Sequence, residues 1–242
     1  MIFGLLRVKN EARWIERVVR SIQPVCGRIL IFDDHSTDGT PEICESLGCV
    51  VFRSAFEGIH EARDKDYLLE KAWDSGAQIG DHCLMIDGDE ALPQDGIPAL
   101  LAAVKDGAVC CSLHIVYLWD REDQLRVDRW YREFRRPSLF RLTSRDLTFR
   151  RTAHGGNFHC SSAPAQLLSQ IVPIPVRLLH YGYLNREDRV RKFFFYNQVD
   201  PHNALEDEYR HVVIGDIFPP DSVFRWAGPL QLEALCSHRS TE

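Results

Sequence analysis

The sequence predicts an α/β fold: a Rossmann-like, mostly parallel sheet with helices on both faces, followed by a less regular C-terminal region. Two observations carry this expectation. Strand-like and helix-like segments alternate through roughly the first 120 residues, as βαβ units require. The strand-like segments are also short, near-continuous apolar runs, as strands covered on both faces are. The 242 residues are 45% hydrophobic and 26% charged, the composition of a globular chain able to bury a sizeable core.

The elements follow in order. IFGLLRV opens as a strand. In NEARWIERVVRSI, Trp14, Ile15, Val18, Val19 and Ile22 share one helical face, with Asn10 placed as the N-cap. RILIFDD is a strand ending in two acids, and HSTDGT has loop chemistry. PEICESLG reads as a short helix, with Pro in its first turn and Gly past its end. CVVFR is a strand, and HEARDKDYLLEKAWDSG a helix with Tyr67, Leu68 and Trp73 available for its inner face. DHCLMIDGDE is the next strand, GIPALLAAVKDG a helix and AVCCSLHIVYL a strand. Beyond it, REDQLRVDRWYREFRRPSLFRL is rich in arginine and aromatics, and RTAHGGNFHCSSAPAQ reads as loop. VRLLHYGYLNREDRVRKFFFYNQVDP passes from a strand into a helix near Asn185. Its three consecutive phenylalanines are expected in the core by default. The tail after Asp200 shows no strong period.

Two of these strands end in acids, IFDD and MIDGDE, and in a parallel sheet both clusters open on the carboxyl edge, where ligands collect. The second cluster is the more demanding. Asp87, Asp89 and Glu90 lie within four positions at the end of an apolar run, and buried charges are tolerated only when compensated. A positive partner is required.

Composition narrows the function classes. The formal net charge is −6, which disfavours bulk nucleic-acid binding. The charge is uneven: ten arginines against five acids lie between Arg121 and Arg151, and arginine grips phosphate in a planar fork. The eight cysteines form no CxxC pair and fit small core residues of a reduced protein. No apolar run approaches the roughly 18 residues of a membrane span. The opening residues lack the charge order of a secretory signal. A cytoplasmic location is expected, with room for peripheral contact with a membrane.

Four stretches together resemble a known family. VKNEARWIERVVRSI is similar to its opening strand and helix, IFDDHSTDGT to its first nucleotide-contacting turn, and EARDKDYLLEKAWDSGAQIGDHCLMIDGDE to the helix and strand leading to a D-x-D motif. FHC and LLHYGY resemble a downstream pair of histidine positions. The family is the family 2 glycosyltransferases of the GT-A fold, and the likeness spans about residues 4 to 185.

The resemblance implies a transfer of sugar from a nucleotide-sugar donor, a UDP-sugar foremost, to a glycan, lipid-linked or other small acceptor. It implies inversion and a Mn²⁺ or Mg²⁺ ion that offsets the acids and the departing diphosphate. At an effective dielectric of about 20, unit opposite charges 4 Å apart attract by about 4 kcal/mol, so a divalent ion can offset two or three carboxylates. Residues i and i+2 of a strand lie roughly 6 to 7 Å apart, which favours one direct ligand. By resemblance, Asp89 binds the metal and Asp87 faces the ribose or a metal-bound water. Asp33 or Asp34, the latter preferred, accepts a base N–H. Asp38 orders the loop and Gly39 permits its tight backbone. Arg63 reaches the nucleotide, with Arg7 and Lys9 as weaker candidates, and His180 completes the metal shell. His159 is an acceptor-side candidate, although relatives often have His-Glu where this chain has His159-Cys160.

An inverting transfer needs a general base, and Asp120 stands closest to a predicted strand end among Glu122, Asp123, Asp128 and Glu133. Arg135, Arg136 and Arg141 are candidates for an anionic acceptor or phosphate. Trp119, Trp130 and Tyr131 suit either sugar stacking or the core. The expected organisation is a single GT-A domain over 1–242, with a nucleotide-sugar half at about 1–115 and an acceptor half at about 116–242. The alternatives are a catalytically degenerate nucleotide-sugar-binding module, a sugar nucleotidyltransferase, disfavoured because no glycine follows the first strand, and a zinc-site protein using His154, His159 and Cys160.

Overall fold

A computed structural model describes residues 1–149, 160–201 and 203–235. Its elements are β1 (Ile2–Val8), α1 (Ile15–Ile22), β2 (Arg28–Asp33), α2 (Thr40–Ser46), β3 (Val50–Arg53), α3 (Glu61–Asp74), β4 (His82–Asp87), β5 (Glu90–Ala91), α4 (Ile97–Lys105), β6 (Cys110–Trp119), β7 (Arg121–Arg126), β8 (Arg135–Arg141), β9 (Ile171–His180), α5 (Arg186–Val199) and β10 (Leu232–Ala234). The chain divides into two compact units. One comprises residues 1–114 and 135–178, the other 115–134 and 179–242.

The first unit holds the parallel sheet. β1 pairs in parallel with β2 on one side and β4 on the other, and β2 with β3. β8 then runs antiparallel to β4, and the first half of β6 antiparallel to β8. Five strands therefore point one way and β8 the other. Helices cover both faces of the central strands β1, β2 and β4, which are buried along nearly their whole length. Phe3 and Leu5, Leu30 and Phe32, and Cys83 and Met85 pack with Leu68, Leu69 and Ala72 of α3. The alternate residues face α1. A Cβ on Gly4 would meet Ile22 Cδ1 at 3.0 Å, so glycine here permits the helix to lie close.

The predicted strands and helices of the first 120 residues are present. One local expectation is corrected. Asn10 is not an N-cap: α1 starts later, after Trp14, and Asn10 takes a left-handed φ of 55°. Its side chain instead clamps the 35–39 loop. Asn10 Oδ1 accepts from the Thr37 N–H at 2.8 Å, and its own N–H donates to Ser36 Oγ at 2.8 Å. The seven cysteines among the described residues are all free. Burial pushes the thiols of Cys26, Cys44 and Cys110 up to about 12, so they act as apolar filler.

The second unit is built on aromatic rings and arginines. β7 pairs antiparallel with the end of β6 and with β10. Arg126 is fully buried, with its guanidinium 4.7 Å from the centre of the Trp119 ring and 3.9 Å from that of Tyr131. Asp128 takes its fork through both oxygens, at 2.7 and 3.0 Å. Arg189 also stacks on Trp119, at 4.1 Å, and binds Asp216. Trp119 and Tyr131 are thus core residues here, while Trp130 is half-buried. The phenylalanine run of α5 does not all reach the core: Phe194 is 62% exposed. The run has no helical period, so its three rings must point in different directions.

A buried arginine bound to a buried aspartate leaves an uncompensated charge when it is removed. Arg126→Ala is expected to lower the unfolding free energy by about 3–5 kcal/mol in a denaturant titration. Arg121→Ala, which breaks an exposed pair with Asp123, is expected to leave the midpoint unchanged. Equal midpoints for the two variants would overturn the structural role of Arg126.

Candidate active site

The two acid clusters open on one edge because β1 lies between the strands that carry them. Val8 is level with Asp33, and Arg7 with Asp87. Strand alternation then selects which side chains share a face. Phe3 and Leu5 face α3, and Arg7 continues their row. Leu30 and Phe32 lead likewise to Asp34, and Cys83 and Met85 to Asp87.

Arg7 joins these rows to α3. It donates to Asp34 Oδ2 at 2.7 Å and to Asp64 Oδ2 at 2.9 Å. Asp64 is fully buried. Arg63 binds its other oxygen at 2.9 Å and reaches the carbonyls of Glu57 and Gly58. The Arg63 guanidinium lies 4.4 Å from the centre of the Phe56 ring. Phe56, His60, Arg63, Asp66, Tyr67 and Phe149 line a cleft of about 550 Å³.

The aspartates after β2 have distinct duties. Asp34 is buried and held by Arg7, with Lys9 Nζ at 3.4 Å. Asp33 Oδ2 accepts from the Ser36 N–H, closing an Asx turn. Nothing among the described residues donates to its buried Oδ1. Asp33 Oδ1 is therefore a buried acceptor with no donor among the described residues, whereas Asp34 already carries its cations. Asp38 orders the loop through Thr40 and the Ala12 N–H, and Gly39 adopts a left-handed φ of 86°.

The cluster at the end of β4 meets its partner across the antiparallel strand. His82 pairs with Arg141 and Leu84 with Leu139, and the same register carried onward sets Arg136 level with Asp87. Arg136 Nη1 donates to Asp87 Oδ2 at 2.6 Å, and Nη2 binds Glu90 Oε2. Glu90 Oε2 also accepts the Asp87 N–H at 3.0 Å. Glu90 is fully buried, Asp89 is 2% exposed, and the Asp87 side chain is 46% exposed. Gly88 has no room for a side chain, since a Cβ would stand 2.9 Å from Val8 Cγ1.

Burial pushes Asp87 up, but Arg136 and Lys65 override it and hold the carboxyl below its ordinary value. Glu90 goes the other way. Burial, with the repulsion of Asp87 and Asp89, outweighs Arg136 and pushes it up to about 7. Lys65 is the residue that sequence reasoning missed. It is nearly buried, with Nζ close to Glu61 and to the carbonyls of Cys160 and Ser161. The signal was available. Lys65, Leu68, Leu69 and Ala72 fall on one helical stripe, and a lysine on an apolar stripe needs a reason.

Arg135 and Arg141 make other contacts within the first unit. Arg135 donates to the carbonyls of Ser112 and Ile174. Arg141 stands at the other end of β4, beside Gly80 and Gly107. Five residues of extended chain carry it roughly 17 Å along the strand from Arg136, so it does not join the acid cluster. Asp120 and His180 belong to the second unit. Asp120 closes the β6–β7 turn with φ 62°, is half exposed and accepts from Arg189 Nη2 at 2.8 Å. His180 is 8% exposed and packs 4.8 Å from the Tyr117 ring and 4.7 Å from the Tyr183 ring. Asp123 and Asp128 are paired with Arg121 and Arg126. His154 and His159 lie outside the described residues.

The donors at the β4 edge are all carboxylate oxygens, which suit Mg²⁺ or Mn²⁺. Among the described residues no three His, Cys, Asp or Glu side chains form a metal-holding group. Such ions are commonly held by one or two carboxylates together with substrate phosphates. The exposed Asp87 and its neighbour Asp89 fit that pattern.

The family model for glycosyl transferase family 2 matches residues 6–164. The chain belongs to that family. An uncharacterized glycosyltransferase of Rickettsia bellii is 25% identical over 200 residues, covering 81% of this chain and 65% of that protein. One from Rickettsia felis is 30% identical over 126 residues, covering 51% of this chain and 42% of that protein. The chain thus spans about two thirds or less of these relatives' length. Among solved structures, S. aureus TarS 1–349 is 13% identical with a TM-score of 0.46, over 87% of this chain and 71% of that one. Glucosyl-3-phosphoglycerate synthase of Mycobacterium tuberculosis, crystallised with Mn²⁺, UDP and glucosyl-3-phosphoglycerate, is 21% identical with a TM-score of 0.35. That match covers 48% of this chain and 44% of that one.

The raised Glu90 sets a pH dependence in this family 2 chain. Folded, Glu90 keeps its proton up to about pH 7, whereas its ordinary value is 4.5. Between these values the folded state binds the extra proton, so this group's contribution to stability falls as pH rises. Glu90→Gln is expected to gain stability over the wild type between about pH 5 and about pH 8 in urea titrations. A difference that does not change with pH would reject the raised Glu90.

Proposed function

We propose that this family 2 chain is a metal-dependent, inverting glycosyltransferase that uses a nucleotide-sugar donor, with UDP-sugars the preferred class. The observation that carries the reading is the carboxyl edge of the parallel sheet. Arg7, Asp33, Asp34, Arg63, Asp87, Asp89 and Arg136 come from separate elements to one rim, where α/β sheets bind ligands.

Each group has a chemical task. The open Oδ1 of Asp33 accepts a base N–H, and Arg63 offers its guanidinium to the nucleotide. Arg136 and Lys65 supply positive charge where the diphosphate departs. A divalent cation, when bound with the donor, neutralises that leaving group as a Lewis acid, and Asp87 and Asp89 are the residues to hold it. Asp120, half exposed and bound by Arg189, is proposed as the base for the acceptor hydroxyl. The acceptor is a sugar, a lipid-linked glycan or another small hydroxyl compound. No helix among the described residues is long and apolar enough to cross a membrane.

Calorimetric titration with UDP, GDP, dTDP and CMP, each with Mn²⁺ and with EDTA, tests the donor. UDP is expected to bind with Mn²⁺ and to weaken by at least about tenfold in EDTA or in Asp87→Asn. UDP binding unchanged by EDTA and by Asp87→Asn would sink the metal-dependent reading. Asp120→Asn is expected to keep UDP binding while losing turnover by about a hundredfold or more, as removal of a general base does. Unchanged turnover would remove Asp120 from the mechanism.

A further inference from the structure

The β4 cluster is already compensated before any ligand arrives. Arg136 occupies Asp87 Oδ2 and Glu90 Oε2 together. Lys65 adds its pull on Asp87. A hydrated cation approaching the exposed side of Asp87 therefore meets a carboxylate with a guanidinium seated on it. The same geometry favours a diphosphate. The Arg136 side chain is 18% exposed, and its planar fork matches phosphate oxygens as well as carboxylates.

We propose that Arg136 is a latch on the acidic cluster: it keeps Asp87 closed to a free divalent cation and yields only to a diphosphate, so that cation and nucleotide enter as one complex. Arg136 acts here as a positioning residue, through the carboxylates it holds. The entry of the complex rests on the donor reading above, but the closure to free cation is a property of the nucleotide-free protein.

Electron paramagnetic resonance of Mn²⁺ reads that closure directly, because the free aqueous ion gives the signal and the bound ion loses it. Wild-type protein without nucleotide is expected to leave the signal nearly unchanged, and addition of UDP to quench it. Arg136→Gln is expected to bind Mn²⁺ without nucleotide about tenfold or more tightly than the wild type, since one unit charge has left the carboxylate. A merely structural arginine would weaken Mn²⁺ uptake when replaced, not strengthen it. Arg136→Lys, which keeps the charge but loses the fork, is expected to fall between the two. The latch is overturned if wild-type protein takes up Mn²⁺ as tightly without UDP as with it. It is overturned equally if folded Arg136→Gln gains no nucleotide-free affinity. Should Arg136→Gln fail to fold, the wild type and Arg136→Lys decide. If no nucleotide binds the wild type, the donor reading fails, and the nucleotide-free comparison still judges the latch.

Discussion

Three carboxylates within four residues cannot stand at the end of a buried strand without positive charge, and Arg136 provides it. The bond lies between a turn and a strand distant in sequence, and the antiparallel register of β8 against β4 brings them level. It orders Asp87 and Glu90 at once, and Glu90 in turn caps the Asp87 N–H. The acidic turn is therefore built before any ligand is present. Preorganised charges of this kind need little rearrangement when substrate charge develops.

A second network stands one strand away and follows the same principle. Arg7 ties Asp34 to Asp64, and Arg63 holds Asp64 from the helix side. Asp34, Asp64, Asp87 and Glu90 are each met by a cation from a different element. The sheet, α3 and the loop before it are thus locked together where a ligand is expected. Removing one cation would leave buried carboxylates uncompensated, which is costlier than the bond alone suggests. The second unit deals with buried charge by another route. Arg126 and Arg189 lie against the Trp119 ring and complete their bonds with aspartates and carbonyls. Arg126, from the arginine-rich segment that suggested phosphate binding, is thus occupied with an internal duty.

Much of this was legible in the sequence, since local patterns encode local structure. The apolar runs of β1, β2 and β4 and the face of α1 follow from spacing alone, as does the pairing of two acid-ended strands on one edge. The turn chemistry of Asp38 and Gly39 was legible too. Asn10 was misplaced because an N-cap and a loop clamp use the same side-chain groups, and only the position of the 35–39 loop distinguishes them. Lys65 was overlooked although its place on the stripe of α3 marked it.

What the sequence by itself determined is the kind of chemistry: a parallel sheet, acids at its carboxyl edge, and arginines in excess downstream. What tertiary structure decided is which charge meets which. Arg136 and Arg141 are five residues apart on one strand and look alike in sequence, yet one holds the acid cluster and the other stands at the opposite end of β4. Asp33 and Asp34 are neighbours, yet one keeps a buried oxygen without a donor among the described residues and the other carries Arg7. The physical reason is that ion pairing depends on distances of a few ångström. Those distances are set by strand register and by the alternation of faces, and neither is written at the charged residue itself.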